Sequence, residues 1–144
     1  MIREMTRADI WPCYEIVAVN WNDAVAERFR QEALHKWLFG NKYPPQYWVW
    51  EEDGQVVAFA GMIESCIMTG VWDFIWINVK PSHAGRGIGR LLTEHRIEGV
   101  RKLGGSVIQL MSREYGFFKK LGFSTNFVYD GWVHMSMHLR ELKI

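Results

Sequence analysis

The stretch that most constrains this chain runs from residue 71 to residue 103. It begins with Val71-Trp72-Asp73-Phe74-Ile75-Trp76-Ile77-Asn78-Val79, a mostly apolar run rich in β-branched and aromatic residues. Its length and composition suit a buried strand. Pro81 ends it, because proline has no N–H to give to a ladder. Gly85, Gly87 and Gly89 then alternate with Arg86 and Ile88, and a helical run follows to Leu103.

A Gly-x-Gly-x-Gly turn lets the backbone take positive φ and removes Cβ atoms, so several N–H groups can converge on one point. At the start of a helix those donors have no intrahelical partner, and the macrodipole adds partial positive charge. The segment Gly85–Arg90 therefore reads as a phosphate or pyrophosphate site, with Arg86 and Arg90 adding full charges. The alternative is a tight strand-to-helix turn that holds nothing. A P-loop is excluded because Gly89 is followed by Arg90-Leu91 rather than Lys-Ser/Thr, and the dinucleotide fingerprint because position 90 is not glycine.

The pattern resembles the pyrophosphate loop of the GNAT N-acetyltransferases. In that family a strand ends in Val-x-Pro, followed by Arg/Gln-x-x-Gly-x-Gly/Ala and a helix opening with Leu-Leu. Val79-Lys80-Pro81, Gly87-Ile88-Gly89 and Leu91-Leu92 fit; Ala84 stands where Arg or Gln is usual. A second block, Phe117-Phe118-Lys119-Lys120-Leu121-Gly122-Phe123, resembles the family's Phe/Leu-Tyr-x-x-Leu-Gly-Phe, with Phe118 at the tyrosine position.

Length allows one domain over residues 1–144, large enough to bury a core. No apolar run approaches the ~20 residues of a membrane span. Met1-Ile2-Arg3-Glu4 does not open a secretory leader, which gives a cytoplasmic expectation. Cys13 and Cys66 are accordingly read as reduced thiols, Cys66 as part of the core. A net charge of +1 argues against broad nucleic-acid binding. Eight tryptophans are unusual. Most are expected in the core, with some free to line an acceptor pocket.

Along the chain, residues 2–5 read as a strand, and Thr6 caps a helix to about Asn20 with Pro12 in its first turn. Asn22 or Asp23 caps a second helix with Val25, Phe29, Ala33 and Trp37 on one face. Residues 40–45 read as a loop. Strands over 47–51 and 56–66 flank the hairpin turn Asp53-Gly54, with Gly61 marking a bulge or a close backbone approach. The strand over 71–79 follows, then a helix from about Ile88 that presents Ile88, Leu91, Leu92 and His95 on one face until Gly104-Gly105. A strand over 107–110, a short helix from Ser112 to Leu121, and strands over 123–129 and 132–139 complete the order β-α-α-β-β-β-α-β-α-β-β. That is an α+β fold with a mixed sheet, the order of the GNAT fold.

The resemblance implies transfer of an acetyl group from acetyl-CoA to an amine, directly within a ternary complex. It assigns pantetheine contacts to the main chain of Ile77, Asn78 and Val79. The pyrophosphate falls to Gly85, Arg86, Gly87, Ile88, Gly89 and Arg90, with Phe118 beside the cofactor. An ammonium acceptor must lose a proton. Asp73 is the first base considered, since alternation puts Asp73, Ile75, Ile77 and Val79 on one face, and burial among Trp, Phe and Ile raises a carboxyl pKa. The alternative is an exposed strand carboxylate. Glu64 is the second. Tyr115, one turn before Phe118, is the proton donor considered for the CoA thiolate. His134 and His138 read as structural. Scattered His and Cys give no metal-ligand spacing. The acceptor is a small-molecule or protein amine, and the protein a monomer or homodimer. A rival reading is a catalytically weak or inactive CoA-binding or protein-interaction module of the same fold, which Ala84 and Phe118 favour.

Overall fold

The structure, a computed structural model, describes residues 1–39 and 45–139, with 36–39 described by backbone alone. The loop read over residues 40–45 therefore lies, except for Pro45, outside the described residues, as does the Trp37 side chain.

β1 (Ile2–Glu4) leads into a single 3-10 turn at Arg7–Asp9, closed by a capping box between Thr6 and Asp9. Helices α1 (Ile10–Asn20) and α2 (Asp23–Phe39) follow, the second opened by Asn22, whose Oδ1 accepts the Val25 N–H at 2.9 Å. Next come β2 (Gln46–Glu52), β3 (Gln55–Glu64) and β4 (Val71–Val79). α3 (Ile88–Lys102) and β5 (Val107–Ser112) are followed by α4 (Tyr115–Lys120), β6 (Ser124–Tyr129) and β7 (Trp132–His138). The α+β order read from the sequence is the one observed. The β2–β3 and β6–β7 hairpins turn on Asp53-Gly54 and Asp130-Gly131, with positive φ at both residues of each pair as a two-residue type I′ turn requires.

The seven strands form one sheet in the order β1-β2-β3-β4-β5-β7-β6. Among the described residues, only β4 and β5 are parallel neighbours; the other pairs are antiparallel. α1 and α2 cover one face with Cys13, Val17, Ala26, Phe29 and Ala33. α3 and α4 cover the other with Ile88, Leu92, Val100 and Phe118.

The buried face of α3 departs from the sequence reading. It carries Ile88, Leu92, Thr93, Arg96 and Val100, whereas Leu91 and His95 are exposed. Arg96 is fully buried without a carboxylate partner; its guanidinium donates to the Gly61 carbonyl at 2.9 Å and the Thr93 hydroxyl at 3.2 Å, and lies 4.2 Å from the Phe74 ring centre. Burial pushes it down to about 9, so it keeps its charge at neutral pH. Cys66, read as core, is exposed between β3 and β4, because β3 has already ended at Glu64.

Candidate functional site

Everything at the site follows from a break in β4. β3 pairs β4 in register from Glu64↔Trp72 to Gly61↔Ile75, slips, and resumes at Phe59↔Asn78. The slip falls opposite Trp76, whose φ is +56, a backbone state that costs a non-glycine residue about 1–3 kcal/mol. Two side-chain bonds hold it there. Asn78 Nδ2 donates to the Trp76 carbonyl at 3.3 Å, and the Trp76 indole N–H donates to Glu32 on α2. Asn78 is itself fixed by Asn20 on α1, whose Nδ2 donates to Asn78 Oδ1 at 3.1 Å and to the Val79 carbonyl at 3.0 Å.

The bulge shifts the side-chain alternation by one residue. Trp72 and Phe74 face α3 before it, as Ile77 and Val79 do after it, while Ile75 and Trp76 both face α1 and α2. The sequence reading had Asp73, Ile75, Ile77 and Val79 on one face. The structure divides them: Asp73 and Ile75 line a cleft with α2, and Ile77 and Val79 pack on the opposite side.

The strand also parts from β5. The parallel ladder covers only Val71↔Val107, Trp72↔Ile108 and Asp73↔Gln109. Beyond Asp73, the β4 main chain facing β5 has no ladder partner. A Cβ added at Gly89 would lie 3.4 Å from Phe117 and 3.8 Å from Ile77, so the start of α3, the end of β4 and α4 meet at this glycine. The aromatic ring that reaches the glycine loop is thus Phe117. Phe118 is 3% exposed and packs on Phe117 and Phe123, because the short helix turns it into the core.

The loop itself begins with a 3-10 turn at Pro81–His83. Gly85 and Gly87 take φ of +77 and +82, and Gly87 is the N-cap of α3 without any side-chain cap bond. The first intrahelical bond runs from the Leu91 N–H to the Gly87 carbonyl, which leaves the N–H groups of Ile88, Gly89 and Arg90 without intrahelical acceptors. Arg86 and Arg90 have exposed side chains, Arg86 3.7 Å from Glu52 and Arg90 3.3 Å from Glu94. Arg90 also lies beside Gly87. Such a nest of free donors at a helix N-terminus, flanked by two guanidinium groups, fits a pyrophosphate. The unladdered β4 edge fits an extended chain carrying amides.

On the α2 side lies an open cleft of about 540 Å³, bordered by Arg28, Glu32, Asp73, Trp76, Trp132 and His134 among others. A directed chain of hydrogen bonds crosses its floor. Gln109 Nε2 donates to Asp73 Oδ1 at 2.7 Å, so Gln109 Oε1 must accept, and it lies 3.1 Å from His134 Nε2. His134 Nδ1 lies 3.1 Å from Asn126 Nδ2, whose other N–H goes to Ser136 Oγ at 2.8 Å. With Gln109 Oε1 accepting, the His134 Nε2 side of that contact is the donor. Sequence reasoning missed Gln109 and read His134 as structural. The alternation of β7 does put Trp132, His134 and Ser136 on one face, which was the available signal.

The remaining site residues fall elsewhere. Glu64 lies outside the cleft; its carboxylate accepts the Gly70 N–H at 3.2 Å and holds the β3–β4 connection. Tyr115 is the first residue of α4 and is 56% exposed. Among the described residues, no three His, Cys, Asp or Glu side chains are grouped to hold a metal ion, and no helix is long and apolar enough to cross a membrane.

Comparison with known proteins adds three findings. Residues 44–125 match the family described as acetyltransferase (GNAT) domain. An uncharacterised N-acetyltransferase of Methanocaldococcus jannaschii is 25% identical over 93% of this chain, which spans 65% of that relative's length. Two solved structures share the fold. A Desulfovibrio desulfuricans protein assigned to the GNAT family superposes with a TM-score of 0.87 at 17% identity, covering 97% of this chain and 99% of its own. The PaiA N-acetyltransferase of Thermoplasma acidophilum, solved in complex with coenzyme A, gives 0.74 at 14% identity, covering 96% and 98%.

Proposed function

This chain belongs to the GNAT acetyltransferase family, and from that premise we propose that it transfers the acetyl group of acetyl-CoA directly to an amine in a ternary complex. The observation that carries the reading is the coincidence, at one end of β4, of an unladdered strand edge and a glycine-rich helix start with free N–H groups. Coenzyme A bound to the Thermoplasma relative is consistent with it.

Acetyl-CoA would supply an activated acyl group. Gly85, Gly87, Ile88 and Gly89 would hold its pyrophosphate through main-chain N–H groups, with Arg86 and Arg90 adding charge. The main chain of Ile77, Asn78 and Val79 would align the pantetheine. Phe117, whose ring reaches Gly89 beside Ile77, would line the path between pyrophosphate and pantetheine. The Arg/Gln position held by Ala84 adds no donor, but backbone donors carry most of this site.

On the acceptor side, Asp73 is the base. Gln109 occupies one carboxylate oxygen and fixes its rotamer, leaving the other for the entering ammonium. Asp73 takes one ammonium proton, the N–C bond forms and the C–S bond breaks, and the nitrogen gives up its second proton to water. The thiolate that leaves takes a proton from water at the exposed start of α4, or from Tyr115 there. The nucleophile is the amine itself, so no covalent enzyme intermediate is required.

Thermal melting with acetyl-CoA, free CoA and ATP tests the cofactor. The midpoint rises with both CoA forms and not with ATP, as mass action requires of a ligand selective for the folded state. No shift at millimolar acetyl-CoA would contradict the assignment.

A further inference from the structure

Resting on that reading, the cleft also says what kind of amine enters it. We propose that the acceptor is a monocationic primary amine carried on an aromatic body, and not a polycation.

The first argument is charge. Among the described residues, the charged side chains lining the cleft are Arg28, Glu32 and Asp73, a net of one negative charge, with His134 bonded between Gln109 and Asn126. Of the two carboxylates, Glu32 already accepts the Trp76 indole N–H and lies 3.5 Å from Arg28. Only one oxygen of Asp73 is left without a side-chain partner. One ammonium is therefore matched, and a second would meet Arg28 instead of a carboxylate. Arg113 strengthens this, since its guanidinium lies 4.9 Å from the Trp132 ring centre.

The second argument is the walls. Trp76 and Trp132 stand on the cleft with Ile75 and Met111. Both indoles are fixed: Trp76 by Glu32 and by Phe29, edge-on at 5.5 Å, and Trp132 by Trp21, stacked at 5.9 Å. Rigid aromatic walls lose little entropy when a flat apolar group settles against them. A polyhydroxylated or polycationic acceptor would leave these surfaces poorly used and its own polar groups unpaired. Attack by the amine forms the N–C bond, breaks the C–S bond and gives one proton to Asp73, whatever body carries the nitrogen.

Initial rates of thiol release from acetyl-CoA should be compared for 2-phenylethylamine, propylamine, spermidine and an aminoglycoside. The expected order puts 2-phenylethylamine first, with kcat/KM about tenfold or more above propylamine and above both polycations. Faster turnover of spermidine or the aminoglycoside, or equal turnover of propylamine, overturns the acceptor class and leaves acetyl transfer standing. Acetyl-CoA binding with no turnover of any amine overturns both. The Arg28→Ala protein supplies an independent reading, because Arg28 is 77% exposed and its loss does not disturb the core. It makes the cleft one charge more negative, so the rate ratio of spermidine to 2-phenylethylamine rises severalfold. An unchanged ratio contradicts the charge count.

Discussion

Gln109 on β5 donates its side-chain N–H to Asp73 on β4 at 2.7 Å, across the last residue pair the two strands share before they part. The polar contact thus sits where the ladder ends and the cleft begins. It fixes a carboxylate at the edge of the gap.

If that carboxylate is the base, Asp73→Asn lowers kcat by about 10²–10⁴-fold and leaves the Kd for acetyl-CoA unchanged. Gln109→Leu frees the carboxylate rotamer and lowers kcat/KM by about tenfold. Steady-state rates and calorimetric titration separate the effects. Equal losses of rate and cofactor binding would point to a general structural role instead.

Gly87 has φ of +82, which a β-branched side chain adopts only under strain. Gly87→Val therefore costs about 1–3 kcal/mol where the loop must keep its shape. The Kd for acetyl-CoA rises by about tenfold or more, with kcat at saturating cofactor little changed. An unaltered Kd would remove the loop from the cofactor site.

Tyr115 is exposed, and water reaches the place where it stands. Tyr115→Phe lowers kcat by less than about tenfold, because a thiolate leaves readily and solvent can protonate it. A loss of about a hundredfold or more, restored by thiols or buffers that act as acids, would make the phenol the required donor.

Arg96 braces the Gly61 carbonyl next to the β3–β4 slip. Arg96→Ala leaves that oxygen unpaired beside a cavity and costs about 3–5 kcal/mol in denaturant unfolding. Arg96→Met fills the space and removes a buried charge, so its cost stays near that of the unpaired carbonyl, about 1–3 kcal/mol. Equal costs would show that the cavity adds nothing and that the lost bond to Gly61 accounts for the whole effect.

Acid stability turns on the Arg3–Asp9 pair, joined at 2.7 Å. Burial works to raise the Asp9 carboxyl, but the Arg3 guanidinium and the Thr6 N–H and hydroxyl outweigh it and hold it below the ordinary range. A depressed carboxyl stabilises the fold above the unfolded pKa of about 3.9 and loses that contribution as pH falls through the folded value. Arg3→Met removes the partner and leaves burial to raise the carboxyl. The variant therefore melts lower at pH 7, and its deficit narrows as the pH drops below about 4. A deficit that stays constant with pH would contradict the assignment.

The strand–loop–helix unit was legible because its signals are local: Pro81 stops a strand, alternating glycines make a turn, and Gly104 ends a helix. The Asp-Gly hairpins were legible for the same reason. What was not legible depends on partners distant in the chain. Nothing local in the sequence marks Arg96 as buried, because the Gly61 carbonyl that it meets lies 35 residues away. Gln109 and His134 meet only because β5 pairs β7 in one register. The division of Asp73 from Ile77 required the bulge at Trp76, and a period-two reading cannot see an inserted residue. Gly61 signalled a bulge or a close approach; the extra residue lies on β4 at Trp76, and the Tyr47 ring presses on Gly61 itself. That Phe118 is the buried ring and Phe117 the one beside Gly89 was not legible, because a six-residue helix leaves its rotation undetermined by pattern.

The most direct test of acetyl transfer is to mix the protein with acetyl-CoA and 2-phenylethylamine, and to quantify free thiol and N-acetylated amine together. The account predicts equal amounts of both products, formed catalytically, with intersecting initial-rate patterns when the two substrates are varied. Saturable acetyl-CoA binding with no acetylated product from this or any other amine would contradict it, and would leave a cofactor-binding module in place of an enzyme.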